Sequence, residues 1–126
     1  MPEIYELRTV IENNSWHNQE STLDHTLKIL TNYKIFLEKA DSKISTYLNK
    51  KLDKLPVKDL ILVSILLHDL GNKETIINYE DGSSLFPSHE RVSVVKSKKI
   101  LDKLDLSWPD KRYIINIIKI IPIYIQ

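Results

Sequence analysis

VKDLILVSILLHDLG, residues 57–71, decides the architecture. Leu60, Ile61, Leu62, Val63, Ile65, Leu66 and Leu67 leave almost no polar face on the helix expected over 57–70. A helix that is apolar all round belongs in the middle of a bundle, because any surface position would leave one oily side in water. Pro56 suits its first turn, where a missing N–H costs nothing. Gly71 suits a left-handed cap at its end. The polar exception is the closing pair His68-Asp69. An imidazole and a carboxylate side by side at a helix end can both reach one divalent cation, and an unpaired charge in so apolar a setting would be costly.

The flanking segments carry weaker helical signals. Ile4, Leu7, Val10 and Ile11 fall at i, i+3, i+6 and i+7, which predicts a first amphipathic helix. Residues 13–21 are polar and suggest a loop anchored by Trp16. Leu27, Leu30, Tyr33, Ile35, Phe36 and Leu37 form a stripe for a helix over 23–40, and a shorter helix is expected over 42–51. Residues 72–88 are the longest irregular stretch, with an Asp81-Gly82 turn signal for a small hairpin. Ser88 is placed to cap a helix running to residue 104. Ser107 and Asp110 form a capping-box-like pair for the last helix. The expectation is an all-α chain of five or six helices with almost no strand.

Composition narrows the function classes. A chain of 126 residues is long enough for one real core and too short for two, so a single domain over 1–126 is expected. Two glycines argue against a turn-rich β protein, and a net charge of +1 gives no strong field for nucleic acid or a membrane surface. Without cysteine there is neither a disulfide framework nor a thiolate metal site, so any metal must take nitrogen and oxygen ligands. Residues 1–10 carry Glu3, Glu6 and Arg8 and lack the apolar core of a signal peptide. The apolar runs over 60–67 and 114–125, the second interrupted by Asn116, Lys119 and Pro122, fall short of the ~18–20 residues of a spanning helix. A cytoplasmic protein with no membrane partner is the expectation. Lys96, Lys98, Lys99 and Lys103 straddle two helix faces and suit a solvated surface better than a nucleic-acid patch. The Ile-rich run over 114–125 suits a core helix, with a homo-oligomer contact as the other reading.

The chain has four histidines: His17, His25 in Leu23-Asp24-His25-Thr26, His68, and His89 in Phe86-Pro87-Ser88-His89-Glu90. The order His-Thr, then an apolar run into His-Asp-Leu-Gly, then Ser-His-Glu resembles the HD superfamily of metal-dependent phosphohydrolases. It looks most like the branch associated with bacterial tRNA nucleotidyltransferases, over roughly residues 15–120. The resemblance implies an orthogonal helical bundle in which His25, His68, Asp69 and His89 hold one or two divalent ions, whether Mn, Fe, Co, Ni, Zn or Mg. Such mixed His/carboxylate sites suit borderline divalent metals, and a bundle builds them from several helices converging on its core. The implied reaction is hydrolysis of a phosphate ester of a nucleotide, cyclic nucleotide or RNA end by a metal-bound hydroxide, formed because the ion lowers the pKa of water from 15.7 to roughly 7. A phosphorylated small molecule, nucleotide in type, is then the expected partner, with nucleic acid less favoured.

Within that resemblance Asp69 is the catalytic carboxylate. His17, eight residues before His25, falls where a pocket-lining histidine is found. His17, Lys73 and Arg91 are the candidates to meet phosphoryl oxygens, and Glu20 is a candidate proton shuttle. The chain departs from the family in two places. Asn72 stands where a lysine directly follows His-Asp-Leu-Gly, and the last helix, 113–124, holds neither the late Asp nor the late His. Asp102, Asp105 and Asp110 are the nearest carboxylates, better suited to capping or surface roles. Two rival readings stay open: a weak or inactive HD domain that binds a nucleotide or a protein, and a helical interaction module whose histidines are incidental.

Overall fold

The fold follows from how each apolar stripe finds cover. A computed structural model describes residues 2–13 and 20–124. Trp16 and His17 lie outside the described residues. In chain order the elements are α1 (Pro2–Tyr5), a 3-10 turn (Glu6–Thr9), β1 (Ile11–Glu12), β2 (Glu20–Ser21), α2 (Thr22–Lys39), α3 (Ser42–Asn49), α4 (Val57–Leu67), α5 (Asn72–Thr75), β3 (Ile77–Asn78), β4 (Ser84–Leu85), α6 (His89–Leu101) and α7 (Trp108–Tyr124). The chain is mostly helical. Among the described residues the named strands form two antiparallel pairs, β1 with β2 and β3 with β4.

Helix α4 is the axis, packed against α2, α3 and α7, while α7 also covers α6. Its buried Leu60 and Leu67 join one cluster with Ile114, Ile115 and Ile118 of α7, and Leu7, Val10, Leu70, Val94, Ile100 and Leu101 complete that core. A smaller cluster joins Ile29 of α2, Ile65 of α4 and Ile121 of α7. The wholly buried Ser64 keeps α4 and α7 close: its hydroxyl donates to Leu60 O at 2.7 Å and lies 3.5 Å from Ile114 O. Ile114, Ile115, Ile118 and Ile121 of the isoleucine run are thus core, although Ile120 is exposed.

Local chemistry sets the helix ends. Ser21 caps α2 by accepting from Asp24 N at 3.0 Å, and Asp41 caps α3 by accepting from Ile44 N at 2.9 Å. At α7 the Asp110 amide donates to Ser107 Oγ at 3.3 Å, the first half of the expected capping box. The reciprocal half is not made. The Asp110 carboxylate is buried and instead accepts from Lys54 N and Leu55 N at 3.1 and 3.2 Å.

Five expectations are corrected. The first amphipathic helix breaks after one turn: Leu7 and Val10 are buried, but at Ile11 the chain becomes a strand and the Ile11 side chain is exposed. Helix α4 ends at Leu67 rather than at 70, and α6 ends at Leu101 rather than at 104. Gly71 is not left-handed, with φ −77° and ψ −6°. Glycine is required there by close approach, since a Cβ would meet His89 O at 2.4 Å and Ser93 N at 2.7 Å. Ser88 offers no side-chain cap to α6. It is itself the left-handed residue, with φ 56°. The Asp-Gly hairpin forms as expected, pairing Ile77 with Leu85 and Asn78 with Ser84, with Gly82 at φ 87°. No helix of the described residues is long and apolar enough to cross a membrane.

Candidate metal centre

Three chain segments deliver histidines to the Asp69 carboxylate. His25 lies in the first turn of α2, behind the Ser21 cap. His68 and Asp69 form the turn that ends α4. His89 opens α6, brought in because α6 presses on Gly71, whose N–H donates to Ser93 Oγ at 2.8 Å. His68 Nε2 stands 3.0 Å and His25 Nε2 3.8 Å from Asp69 Oδ2, and His89 Nε2 stands 3.4 Å from Asp69 Oδ1. Ligand atoms of His25, His68 and Asp69 all lie within 4.8 Å of one another.

The far ring nitrogens explain the orientation. His68 Nδ1 is 2.6 Å from Ile65 O, and His89 Nδ1 is 3.0 Å from Phe86 O. A carbonyl oxygen can only accept, so both Nδ1 atoms carry the proton and both Nε2 atoms keep a lone pair when neutral. His25 Nδ1 faces Glu20 Oε1 at 3.6 Å, and Glu20 is itself held by Lys28. An outer acceptor on one ring nitrogen, with the other aimed at the centre, is the arrangement that orients metal-binding histidines.

The spacing also fits. Ligand atoms about 2.1 Å from an ion stand about 3.0 Å apart at right angles and about 3.4 Å apart at a tetrahedral angle. His68 already has this spacing from Asp69 Oδ2 and His25 has to close by a few tenths of an ångström, whereas His89 faces the other oxygen, Oδ1, and stands outside the compact His25–His68–Asp69 group. Without an ion, burial works against ionising His68, but the Asp69 charge and hydrogen bond outweigh it and raise its pKa above the usual range. Burial likewise disfavours the Asp69 carboxylate, and His68 outweighs it, leaving the Asp69 pKa below its usual value. His25 and His89 aim Nε2 at the same carboxylate, and His25, His68 and Asp69 together form a donor group that could hold a cation.

No family model, curated protein sequence or solved structure matches the chain. The site therefore stands on its own geometry.

The remaining candidates are less central. Lys73 Nζ pairs with Glu6 at 3.2 Å, both about half exposed. Arg91 lines a cavity of about 370 Å³ with Glu90, Val94 and Lys119. Lys96 donates to Leu70 O at 3.1 Å and to Glu74 at 2.8 Å, so it ties α6 to the end of α4. Glu20 acts on the outer side of His25.

The sequence reading missed Glu12. It is 4% exposed, hydrogen-bonds the Thr22 side chain and lies within electrostatic reach of Asp69, Glu20 and His68. Burial first, then the Asp69 charge, push its carboxyl up to about 8. The helical stripe at Ile4, Leu7, Val10 and Ile11 stops short of Glu12 and assigns it no role. Only pairing with β2 turns it inward, and nothing in the local pattern announces that pairing.

Proposed function

We propose that the chain is a metal-dependent phosphohydrolase with an HD-type helical bundle, acting on a phosphate ester of a nucleotide, a cyclic nucleotide or an RNA end. One observation carries the reading: three histidines present Nε2 to one buried carboxylate while two carbonyls and a carboxylate face their Nδ1 atoms. That donor set suits Mn, Fe, Co, Ni or Zn better than a hard oxygen-seeking ion. A divalent ion held there acidifies a water near neutral pH and polarises a phosphoryl oxygen.

The chain's own residues do the rest. Asp69 supplies charge, and His68 and His89 supply neutral donors whose rotation is blocked by Ile65 O and Phe86 O. Arg91, two residues beyond His89, is the cation best placed by sequence to meet a phosphoryl oxygen. Lys73 is engaged with Glu6 and contributes less. A cytoplasmic setting agrees with this chemistry.

The test is metal content of the purified chain, followed by turnover on a panel of phosphomonoesters and cyclic phosphates with added Mn²⁺, Co²⁺ or Ni²⁺. A stoichiometric ion with turnover, both lost in Asp69→Ala, supports the enzyme. An ion without turnover assigns the chain to the binding-module reading, which the isoleucine-lined α7 favours because Ile114, Ile118 and Ile121 occupy buried positions on the helix expected to supply a late ligand. Equal metal content in the parent and in His25→Ala, His68→Ala and Asp69→Ala overturns the ligand set.

A further inference from the structure

The seam between α6 and α7 gathers positive charge that the net +1 of the whole chain conceals. Arg91 and Lys98 of α6 and Lys111, Arg112 and Lys119 of α7 line two cavities of about 370 and 510 Å³, and Lys119 lines both. We infer that these joined cavities form a groove that binds single-stranded nucleic acid, with the cations along the phosphates and Trp108 stacked on a base. None of these residues is a ligand of the metal centre, so the inference does not rest on that reading.

Helix periodicity builds the groove. Arg91, Val94 and Lys98 fall at i, i+3 and i+7, one face of α6. Trp108, Arg112, Ile115 and Lys119 fall at i, i+4, i+7 and i+11, one face of α7. The two helices pack on each other and run in opposite directions along the seam. Lys119 shares a cavity with Arg91 from the start of α6, and Trp108 from the start of α7 shares one with Lys98 and Asp102 at the end of α6. Val94 and Ile115, each 8% exposed, give the groove an apolar floor. At 1.5 Å per residue the face from Trp108 to Lys119 extends about 16 Å, room for a few nucleotides rather than one phosphate.

Its chemistry fits a strand of bases better than other polyanions. Five cations stand against two carboxylates, Glu90 and Asp102, and Asp102 already faces Lys111 at 3.6 Å. Trp108 is 68% exposed, and the Arg112 guanidinium lies over its ring, 5.3 Å from the centroid. That contact steadies the indole at the groove instead of in the core. Cations that follow a backbone and an aromatic ring that takes a base are how single strands are held without sequence readout. An acidic peptide would use the cations and leave the indole idle. Lys99 and Lys103, neighbours of Lys98 in the α6 lysine run, line neither cavity, so the seam and not the run carries the site.

The experiment titrates the full chain with an oligouridine of about ten nucleotides, with the matching oligothymidine and with an abasic strand of equal length. Binding of either base-bearing strand supports the groove, and the two arms tell RNA from DNA. Affinity should fall with salt, and Arg112→Gln and Lys119→Gln should each flatten the slope of log K against log salt by about 0.7. Lys99→Gln, which removes the same charge outside the groove, should bind as the parent does. The parent should prefer oligouridine to the abasic strand by about 5–150-fold, a preference lost in Trp108→Ala and kept in Trp108→Phe. All four substituted side chains are exposed, so melting should match the parent's. Equal affinity for oligouridine and the abasic strand, or equal losses in Lys99→Gln and Lys119→Gln, reduces the groove to diffuse charge and overturns the inference. No binding at low salt, or displacement of oligouridine by an equal concentration of polyglutamate, overturns it as well. Asp69→Ala should bind oligouridine as the parent does, so the groove and the metal centre stand or fall separately.

Discussion

Asp69 and Asp110 are both buried carboxylates, 4% and 0% exposed, and they serve opposite purposes. Asp110 stands in the first turn of α7, where the helix dipole favours a negative charge. Its Oδ2 takes the N–H groups of Lys54 and Leu55, pinning the loop that leads into α4. Backbone donors cannot leave, so Oδ2 is held in place and the residue is structural. Asp69 stands at the other end of α4 and faces imidazoles, which can lose their protons and offer lone pairs. Burial alone does not distinguish a site from a staple. The chemistry of the facing groups does.

Titration should separate the two regions most. In the metal-free chain Glu12 moves from 4.5 unfolded to about 8 folded. A raised carboxyl favours folding fully below pH 4.5, and that stability is lost as pH rises through about 8. The swing is on the order of 5 kcal/mol at 1.36 kcal/mol per unit. Urea melts across that range should slope downward in the parent and less in Glu12→Gln. The slope does not vanish, because His68, also raised, sheds stability as pH climbs above 6.5. A Glu12→Gln curve parallel to the parent's breaks the contrast.

Exchanging the two aspartates for alanine comes next. Asp110→Ala removes two charge-assisted bonds and leaves two N–H groups without their acceptor, costing about 3 kcal/mol or more. Its metal affinity should not change. Asp69→Ala should do the reverse, weakening metal binding by about 100-fold, equivalent to about 2.7 kcal/mol. Chemical denaturation and metal titration of both variants check the pair.

Gly71→Ala tests the contact that delivers His89. A methyl placed 2.4 Å from His89 O forces α6 outward, at about 1–3 kcal/mol for an overpacked site. Thermal melting should fall, and metal affinity with it. Lys73→Ala is the smallest effect: an exposed pair with Glu6 contributes under about 0.5 kcal/mol, so melting should be unchanged within error.

How legible this was depended on distance along the chain. The axial helix was readable because its side chains are apolar whatever surrounds them, and His68-Asp69 because the pair breaks that run. Helix α2 was legible as a helix, but its face was not: Leu27, Ile35 and Phe36 are exposed while Thr22 and Thr26 are buried. Thr22 has partners in Glu12 and Asn72 that a hydropathy pattern cannot see. Gly71 was assigned to the correct turn for the wrong reason, since a crowded backbone and a left-handed backbone both demand glycine. Glu12 was invisible because its inward turn depends on β2, and the residues linking the two strands carry no pairing signal.

The join between the N-terminal strand and the hairpin has a consequence in time. Asn13 N donates to Ser84 Oγ at 2.8 Å, Ser84 N donates to Asn13 O at 2.6 Å, and Asn13 Nδ2 donates to Gly82 O at 2.7 Å. These partners are 71 and 69 residues apart, whereas α6 and α7 are neighbours in sequence. Contacts of such separation carry a larger loop-closure entropy and form late. In a refolding chain the helical signal should therefore rise before residue 13 docks beside the hairpin. Interactions completed after the transition state slow unfolding rather than speed folding. The join should accordingly act as a latch, lengthening the lifetime of the folded chain while leaving its folding rate almost untouched.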